Sequence, residues 1–354
     1  MGHRITLKDI ADDLSISIGT VDRAIHNRGR INSITQARIM SRIEEMGYKT
    51  NTLARTLRKN QASKITLIAP TYNYFFQDIA RGVSESFAEL AGFPLVLDII
   101  AQDSENDPIK QLRDFDKALE SEPGGIILVP LHPFLLRGSI NKAVERSIPV
   151  VTMNLDSADS KRICHVGQDS YHTGGIIGHL FGKFLRGRGR VAILTGISDL
   201  FSWQHRTEGF LGTLSKYYPQ IEVAEINPFS NDAQIAYEIS KILLLSDPSL
   251  TGLFANTTAG TIGIGLAIRD FNKCEQVVTV CYDTQNEVMD LLDVNAAIAT
   301  VTQNPYMQGY YAAKIMGRIL LESSPPKDEF YYVRADVILN REHYNLNTRM
   351  VIDP

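Results

Sequence analysis

Residues 6–26 read Thr6-Leu7-Lys8-Asp9-Ile10-Ala11-Asp12-Asp13-Leu14-Ser15-Ile16-Ser17-Ile18-Gly19-Thr20-Val21-Asp22-Arg23-Ala24-Ile25-His26. The spacing of Leu7, Ile10, Ala11 and Leu14 puts them on one helical face, and Thr6 is a good N-cap for that helix. After the break at Ser15-Ile16, Ser17 caps a second helix running from Ile18 to about His26. This helix turns Val21, Ala24 and Ile25 inward and leaves Ile18, Gly19, Thr20, Asp22 and Arg23 outside. Two helices so short, joined by so tight a turn, must share one core, as in a helix-turn-helix. Downstream, Asn32 caps a third amphipathic helix with Ile34, Ile39, Ile43 and Met46 on its apolar face, and Gly47 ends it. Residues 1–48 are therefore expected to form a small all-α domain.

Beyond Gly47, the stretch Asn51-Thr52-Leu53-Ala54-Arg55-Thr56-Leu57-Arg58-Lys59 keeps helical spacing but has no face large enough to fold alone. Residues 49–63 read as a hinge that orders only against DNA or a partner copy. The charge distribution points the same way. Residues 1–64 carry 12 Lys+Arg against 6 Asp+Glu, leaving 24 against 34 for the rest of a chain whose net charge is −4. A basic head on an acidic body implies a polyanionic partner for the head, since phosphate neutralisation supplies most non-specific nucleic-acid affinity.

Composition narrows the remaining classes. No apolar run approaches the roughly 18 residues needed to span a bilayer, so no membrane role is expected. Met1-Gly2-His3-Arg4 lacks the apolar core of a secretory signal, and the expected location is the cytoplasm. Cys164, Cys274 and Cys281 match neither a zinc site nor a disulfide framework and read as reduced thiols.

From Lys64 the texture changes to apolar runs alternating with helical stretches: Ile65–Ala69, Leu95–Ile99, Gly125–Val129, Val150–Met153, Val191–Leu194, Gly252–Ala255, Val277–Val280 and Ala297–Thr300. Such alternation implies parallel sheets flanked by helices. Two successive groups of strands, divided near Arg162–Gly167, predict two doubly wound α/β lobes, with binding groups on loops at the carboxyl ends of the strands. The expected boundaries are 64–162 with 304–325 for the first lobe and 163–303 with 326–345 for the second. The two-lobed domain so defined spans 64–334 and its flanking segment, and 346–354 is a C-terminal tail.

The head and hinge resemble those of the lactose-repressor family in order and spacing over roughly sixty residues, through Ile5–Ala11, Ser17–Ala24 and Asn51–Leu57. The resemblance implies phosphate contacts from Thr6, Ser17 and Thr35 and base reading by Ile18, Gly19 and Arg23. Thr20 and Ala54 complete the implied DNA-contacting set. Leu57 matches the leucine that wedges into the minor groove. This sequence departs from the family at Ile18 and Gly19, which offer no side-chain hydrogen bond to a base, and at Asp22, where serine is usual. Ile18 suits a thymine methyl and Arg23 a guanine.

The body, to about Arg334, is similar to periplasmic sugar-binding proteins and to the effector domains of the same repressor family. Within Asn73-Tyr74-Phe75-Phe76-Gln77-Asp78, Asn73, Phe75 and Phe76 match the amide and two aromatics that hold a sugar ring. Aromatics cover the apolar faces of such a ring while amides and carboxylates bond its hydroxyls. Later loops supply Asp103, Asn154, Trp203, Gln204, Asn256, Asp283 and Gln303, of which Asp283 and Gln303 are the firmest matches. Leu155 and Gln204 stand where many sugar binders carry arginine. Both departures remove positive charge, so the expected effector is a neutral sugar rather than a sugar phosphate.

Other signals carry less. His165, His172 and His179 miss the pairing of a zinc helix, and no metal or cofactor is expected. Gly174, Gly178 and Gly182 suggest close helix packing, and Arg186–Arg190 a solvated turn. No phosphate loop, catalytic carboxylate pair or Ser/His/Asp constellation with motif context is present, which argues against an enzyme. A sugar-modifying enzyme and a solute-binding protein on the same scaffold are the alternatives. The expected molecule is a homodimeric repressor that reads a near-palindromic operator in double-stranded DNA under the control of a sugar.

Overall fold

The computed structural model describes residues 7–25, 31–46, 63–103, 107–196, 201–322, 324–342 and 344. Its contacts form two compact units, Met1–Gln61 with Arg318–Ser324 and Ala62–Gly317 with Pro325–Pro354. Thr6, the hinge residues Ala54 and Leu57, and the tail 346–354 lie outside the described residues.

In the head, α1 (Leu7–Leu14), α2 (Ile18–Ile25) and α3 (Ser33–Glu45) follow the capping signals of the sequence. Ser17 Oγ accepts the Thr20 amide at 3.1 Å and Asn32 Oδ1 accepts the Ile34 amide at 2.9 Å. Ile10, Ala11, Leu14, Val21, Ala24 and Ile39 close one small core, with Ile43 and Met46 packed against it. Ile34 departs from the expectation and is exposed. Five positions separate it from Ile39, which rotates it about 140° off the buried face. Arg42 ties α3 to α1 by donating from Nε and Nη2 to the two carboxylate oxygens of Asp13, at 2.7 and 2.8 Å. That fork matches the carboxylate geometry and holds the Asp13 carboxyl below its usual range.

The body alternates strand and helix. Its first half runs β1 (Ser63–Pro70), α4 (Tyr74–Ala88), β2 (Leu95–Gln102), α5 (Pro108–Glu120), β3 (Gly125–Leu128), α6 (Pro133–Glu145), β4 (Val150–Met153) and β5 (Cys164–Gly167). Next come α7 (Ser170–Phe184), β6 (Arg188–Gly196), α8 (Phe201–Tyr217), β7 (Gln220–Phe229), α9 (Ala233–Ser246), β8 (Gly252–Ala255), α10 (Thr258–Asp270), β9 (Val280–Tyr282), α11 (Asn286–Asp293) and β10 (Ala299–Val301). The chain then returns through α12 (Pro305–Glu322), β11 (Phe330–Tyr332) and β12 (Val337–Ile338).

The first sheet has the order β2-β1-β3-β4-β5-β11, all parallel. In the second lobe β7-β6-β8 and β9-β10 are parallel, β12 closes on β10 antiparallel, and a bridge from Gly252 to Val278 links the two groups. The second lobe thus repeats the strand order of the first. Strands covered by helices on both faces bury their side chains whatever the parity, which is why β3, β4 and β1 from Ile65 on are buried without alternation.

Pairing moves the expected lobe boundaries. Cys164–Gly167 pairs with β4 and Phe330–Tyr332 pairs with β5, so both belong to the first lobe rather than the second. The chain therefore crosses after Gly167 and again after Tyr332. Strand β5 was obscure because it is four residues long and includes His165 and Gly167. Strand β7 was not foreseen either: it is a sheet edge whose Ile221 and Val223 alternate with glutamates.

Three connections join the lobes, and they are bonded to one another. Gln168 Nε2 donates to Thr302 O at 2.5 Å, Thr302 N donates to Asp336 O at 2.9 Å, and Asp336 N donates to Thr302 Oγ1 at 3.0 Å. In the second lobe, α7 and α8 cross with their backbones in contact. A Cβ on Gly174 would overlap the Arg206 carbonyl, and one on Gly209 the Tyr171 carbonyl. Among the described residues no helix is long and apolar enough to cross a membrane.

Candidate functional site

Loops at the carboxyl ends of the strands of both lobes open into a cavity of about 340 Å³. The first lobe lines it with aromatic surface. Asn73 caps α4, its Oδ1 accepting the Phe76 amide at 3.1 Å, and so fixes the turn that carries Phe75 and Phe76 into the wall. Their rings meet edge to face at 5.3 Å, and Tyr72 lies 5.4 Å from Phe76. Asn154 and Leu155, after β4, complete this side.

The second lobe lines the cavity with a connected polar chain. Asp283 leaves β9 with φ 68°, a left-handed conformation that aspartate tolerates, and its amide donates to Val301 O at 3.1 Å. Its carboxylate accepts from Thr258 Oγ1 at 2.5 Å and from Gln303 Nε2 at 2.7 Å. Gln303 Oε1 in turn accepts from Arg206 Nη2 at 2.6 Å. The Arg206 guanidinium lies over the Tyr282 ring at 4.1 Å, and its Nη1 donates to Asn256 O at 3.2 Å. Burial pushes the Asp283 carboxyl above the ordinary aspartate range, against the Thr258 bond, the Arg206 charge and the Gln303 bond, which all favour its ionised form. One buried cation and one buried anion share a glutamine, so the wall is polar and charge-balanced.

Gln303 belongs to the connection between β10 and α12, so the polar chain begins on one of the three connections between the lobes. A ligand that touches Gln303 touches the segment bonded to both other connections. Three buried polar atoms of lining residues lack a hydrogen-bond partner among the described residues: Asn231 Oδ1, Gln168 Oε1 and Arg206 Nε.

Residues 65–323 match the family model of the periplasmic binding protein domain, and residues 6–51 match that of the bacterial regulatory proteins of the lacI family. The chain belongs to the lacI family, with a periplasmic binding protein body. The ribose operon repressor of Bacillus subtilis (strain 168) is 27% identical over 318 residues, 88% of this chain and 90% of that protein. The probable HTH-type transcriptional repressor ExuR of the same organism is 26% identical over 270 residues, covering 75% of this chain and 76% of that one. The fold is shared with the crystal structure of a sugar-binding protein of a sugar ABC transporter from Bacillus halodurans, at TM-score 0.74 and 23% identity over 80% of this chain and 99% of that one.

In this lacI-family regulator the head presents the start of α2 outward. Ile18 is 46% exposed, and Arg23 is held by bonds to Gly19 O at 3.0 Å and Thr20 Oγ1 at 3.4 Å. Ser17 is committed to capping through its bonds to Thr20, and Thr35 stands in the first turn of α3.

Of the cleft residues singled out in the sequence of this regulator, Asn73, Phe75, Phe76, Asn154, Trp203, Asp283 and Gln303 converge on the cavity. Asp103, Gln204 and Asn256 do not line it. Asp103 and Gln204 are exposed. Asn256 is buried, its Oδ1 accepting from Gly196 N at 2.9 Å and its Nδ2 donating to Trp203 O at 3.0 Å and Thr207 Oγ1 at 3.1 Å. It positions Trp203 and, through its carbonyl, Arg206. Sequence reasoning missed Arg206, Asn231, Gln168 and Thr258. The positive charge thought lost at Gln204 is present two residues further on, in Arg206. The signal was the helix crossing: Arg206 lies opposite Gly174, which lets α8 approach closely enough to bury it.

Proposed function

We propose that this lacI-family regulator grips operator DNA through paired heads and that a neutral sugar seated between the lobes sets its operator affinity. The observation that carries the reading is the hydrogen-bonded chain Arg206–Gln303–Asp283–Thr258, buried at Arg206 and Asp283, facing Phe75 and Phe76 across one cavity. An aromatic wall suits the apolar face of a sugar ring, and a fixed array of donors and acceptors suits its hydroxyls. Arg206, the one arginine among the described residues that line the cavity, is balanced by Asp283, which supports an uncharged ligand over a phosphorylated one. The unpartnered atoms of Asn231, Gln168 and Arg206 add two acceptors and a donor, a mixture that hydroxyl groups satisfy because each both donates and accepts. Binding, with no chemical turnover, is the role this wall supports.

The reading includes a homodimer, since two heads paired about a two-fold axis suit a near-palindromic operator. A DNA partner also supports a cytoplasmic location. Among the relatives, a repressor of a ribose operon supports repression as the output and puts D-ribose first among ligands to test. Thermal-shift screening against neutral pentoses and hexoses, uronates and sugar phosphates is the direct test. A neutral sugar at 100 times its Kd should stabilise the protein by about 2.7 kcal/mol. Stabilisation by a sugar phosphate and by no neutral sugar would overturn the ligand class.

A further inference from the structure

Outside the lining of the cavity, a contact joins the two lobes that none of the ligand-facing residues requires. Phe134, in the first turn of α6 in the first lobe, meets Phe201, the first residue of α8 in the second, edge to face with ring centroids 6.0 Å apart. Each ring is 46% exposed. Large apolar side chains left half in water at a loop tip gain little from local packing; these two gain by covering each other, and they do so only while the lobes are close.

Both rings stand on anchored supports. His132 Nδ1 accepts the Leu135 amide at 3.3 Å and caps α6, while the Pro133 carbonyl accepts the buried Ser157 hydroxyl at 2.7 Å. Across the rim, Phe201 opens the helix that carries Ser202, Trp203 and Arg206 into the cavity wall. His132 extends the array beside Phe134 at 6.2 Å, and His205 beside Phe201 at 6.3 Å. A shift of α8 that separates the rings therefore moves the ligand wall with them.

Building on the cleft as the effector site, we infer that Phe134 and Phe201 form an aromatic latch across its mouth. The latch holds the lobes together at a contact separate from the three bonded connections and slows exchange of whatever occupies the cavity. An aromatic pair of this geometry is strong enough to change the ratio of closed to open molecules about two- to tenfold, so the latch biases closure without locking it.

Trp203 is the only tryptophan of the chain and lines the cavity behind the latch, so its fluorescence reports access to the cleft without any added probe group. Collisional quenching by acrylamide, corrected for fluorescence lifetime, should rise about twofold or more in Phe134→Ala and in Phe201→Ala. The double variant should exceed neither single variant by much, because either ring alone leaves the latch open. Phe134→Tyr, which keeps the ring, should quench like the wild type. Phe134 is the sharper probe since it lies on the lobe opposite Trp203. Wild-type quenching in a Phe134→Ala protein with an unchanged circular dichroism spectrum would overturn the latch, as would strictly additive effects in the double variant. Acrylamide needs no bound sugar, so failure of the latch and failure of the sugar assignment read out separately.

Discussion

The head and the body of this regulator meet their ligands by opposite physical means. In the head the groups proposed to face DNA stand at the surface: Ile18 is nearly half exposed, Arg23 makes two bonds to its own helix among the described residues, and the core beneath is a handful of aliphatic side chains. In the body Arg206 and Asp283 are buried and, through the part-buried Gln303, bonded into one chain before any ligand arrives. A polyanion offers many charges and can be held by exposed cations with little desolvation. An uncharged sugar offers only hydroxyls and ring faces, so its site must be dry and organised in advance. The two sites should therefore respond to different perturbations.

Salt should separate them most widely. Operator affinity should fall roughly a hundredfold or more between 50 and 200 mM salt if several phosphates are contacted, while sugar affinity stays almost constant. Filter binding and calorimetry across the same salt series measure both, and a salt-steep sugar affinity would break the distinction. Next in size is Asp283→Ala, which should cost about 1.5–3 kcal/mol of sugar binding, or roughly 10- to 150-fold, and leave sugar-free operator binding unchanged. Phe76→Ala should weaken the sugar less, by about 0.5–1.5 kcal/mol for the lost ring, with some added loss of stability because Phe76 packs on Phe75 and Tyr72.

A pH test sharpens the claim that the body site is preorganised at a cost in stability. Burial raises the Asp283 carboxyl above 3.8, so this group favours folding most at low pH, and that contribution is lost as pH rises through its raised value. Asp283→Asn should therefore be more stable than wild type near about pH 8, with the difference shrinking toward about pH 4 in denaturant titrations. A difference independent of pH would mean that the carboxylate is not under strain. Smallest of all, Asp103→Ala and Gln204→Ala should change sugar affinity by less than about twofold, because both side chains are exposed and away from the cavity.

How far the sequence could be read differs between the same two regions. The helices of the head announce themselves by caps and by a period of 3.6, and Ile34 was turned to the wrong face, while the side chain of Ile25 lies outside the described ones. In the body the buried strands were plain as apolar runs, but β5 and β7 were hidden, one by its shortness and the other by the glutamates of an edge. Most of the aromatic and amide residues of the cleft sit on strand-end loops, where a polar or aromatic residue stands out. Asn256 stands out in the same way yet spends its amide on Gly196, Trp203 and Thr207, a distinction that only the hydrogen bonds make. Arg206 is the reverse case. It lies within a helix, where an arginine normally faces water, and its burial follows from the glycine crossing of α7 and α8.

The central claim is that the two sites, built so differently, are coupled through one molecule. The measurement that tests it most directly is operator affinity as a function of sugar concentration, in wild type and in Asp283→Ala. If the cleft controls the head, saturating sugar shifts wild-type operator Kd by at least about fivefold, within the usual range of allosteric coupling. The Asp283→Ala protein should then need roughly 10- to 150-fold more sugar to reach the same shift. An operator response with the same sugar dependence in both proteins, or none in a wild type that binds the sugar, would contradict the account.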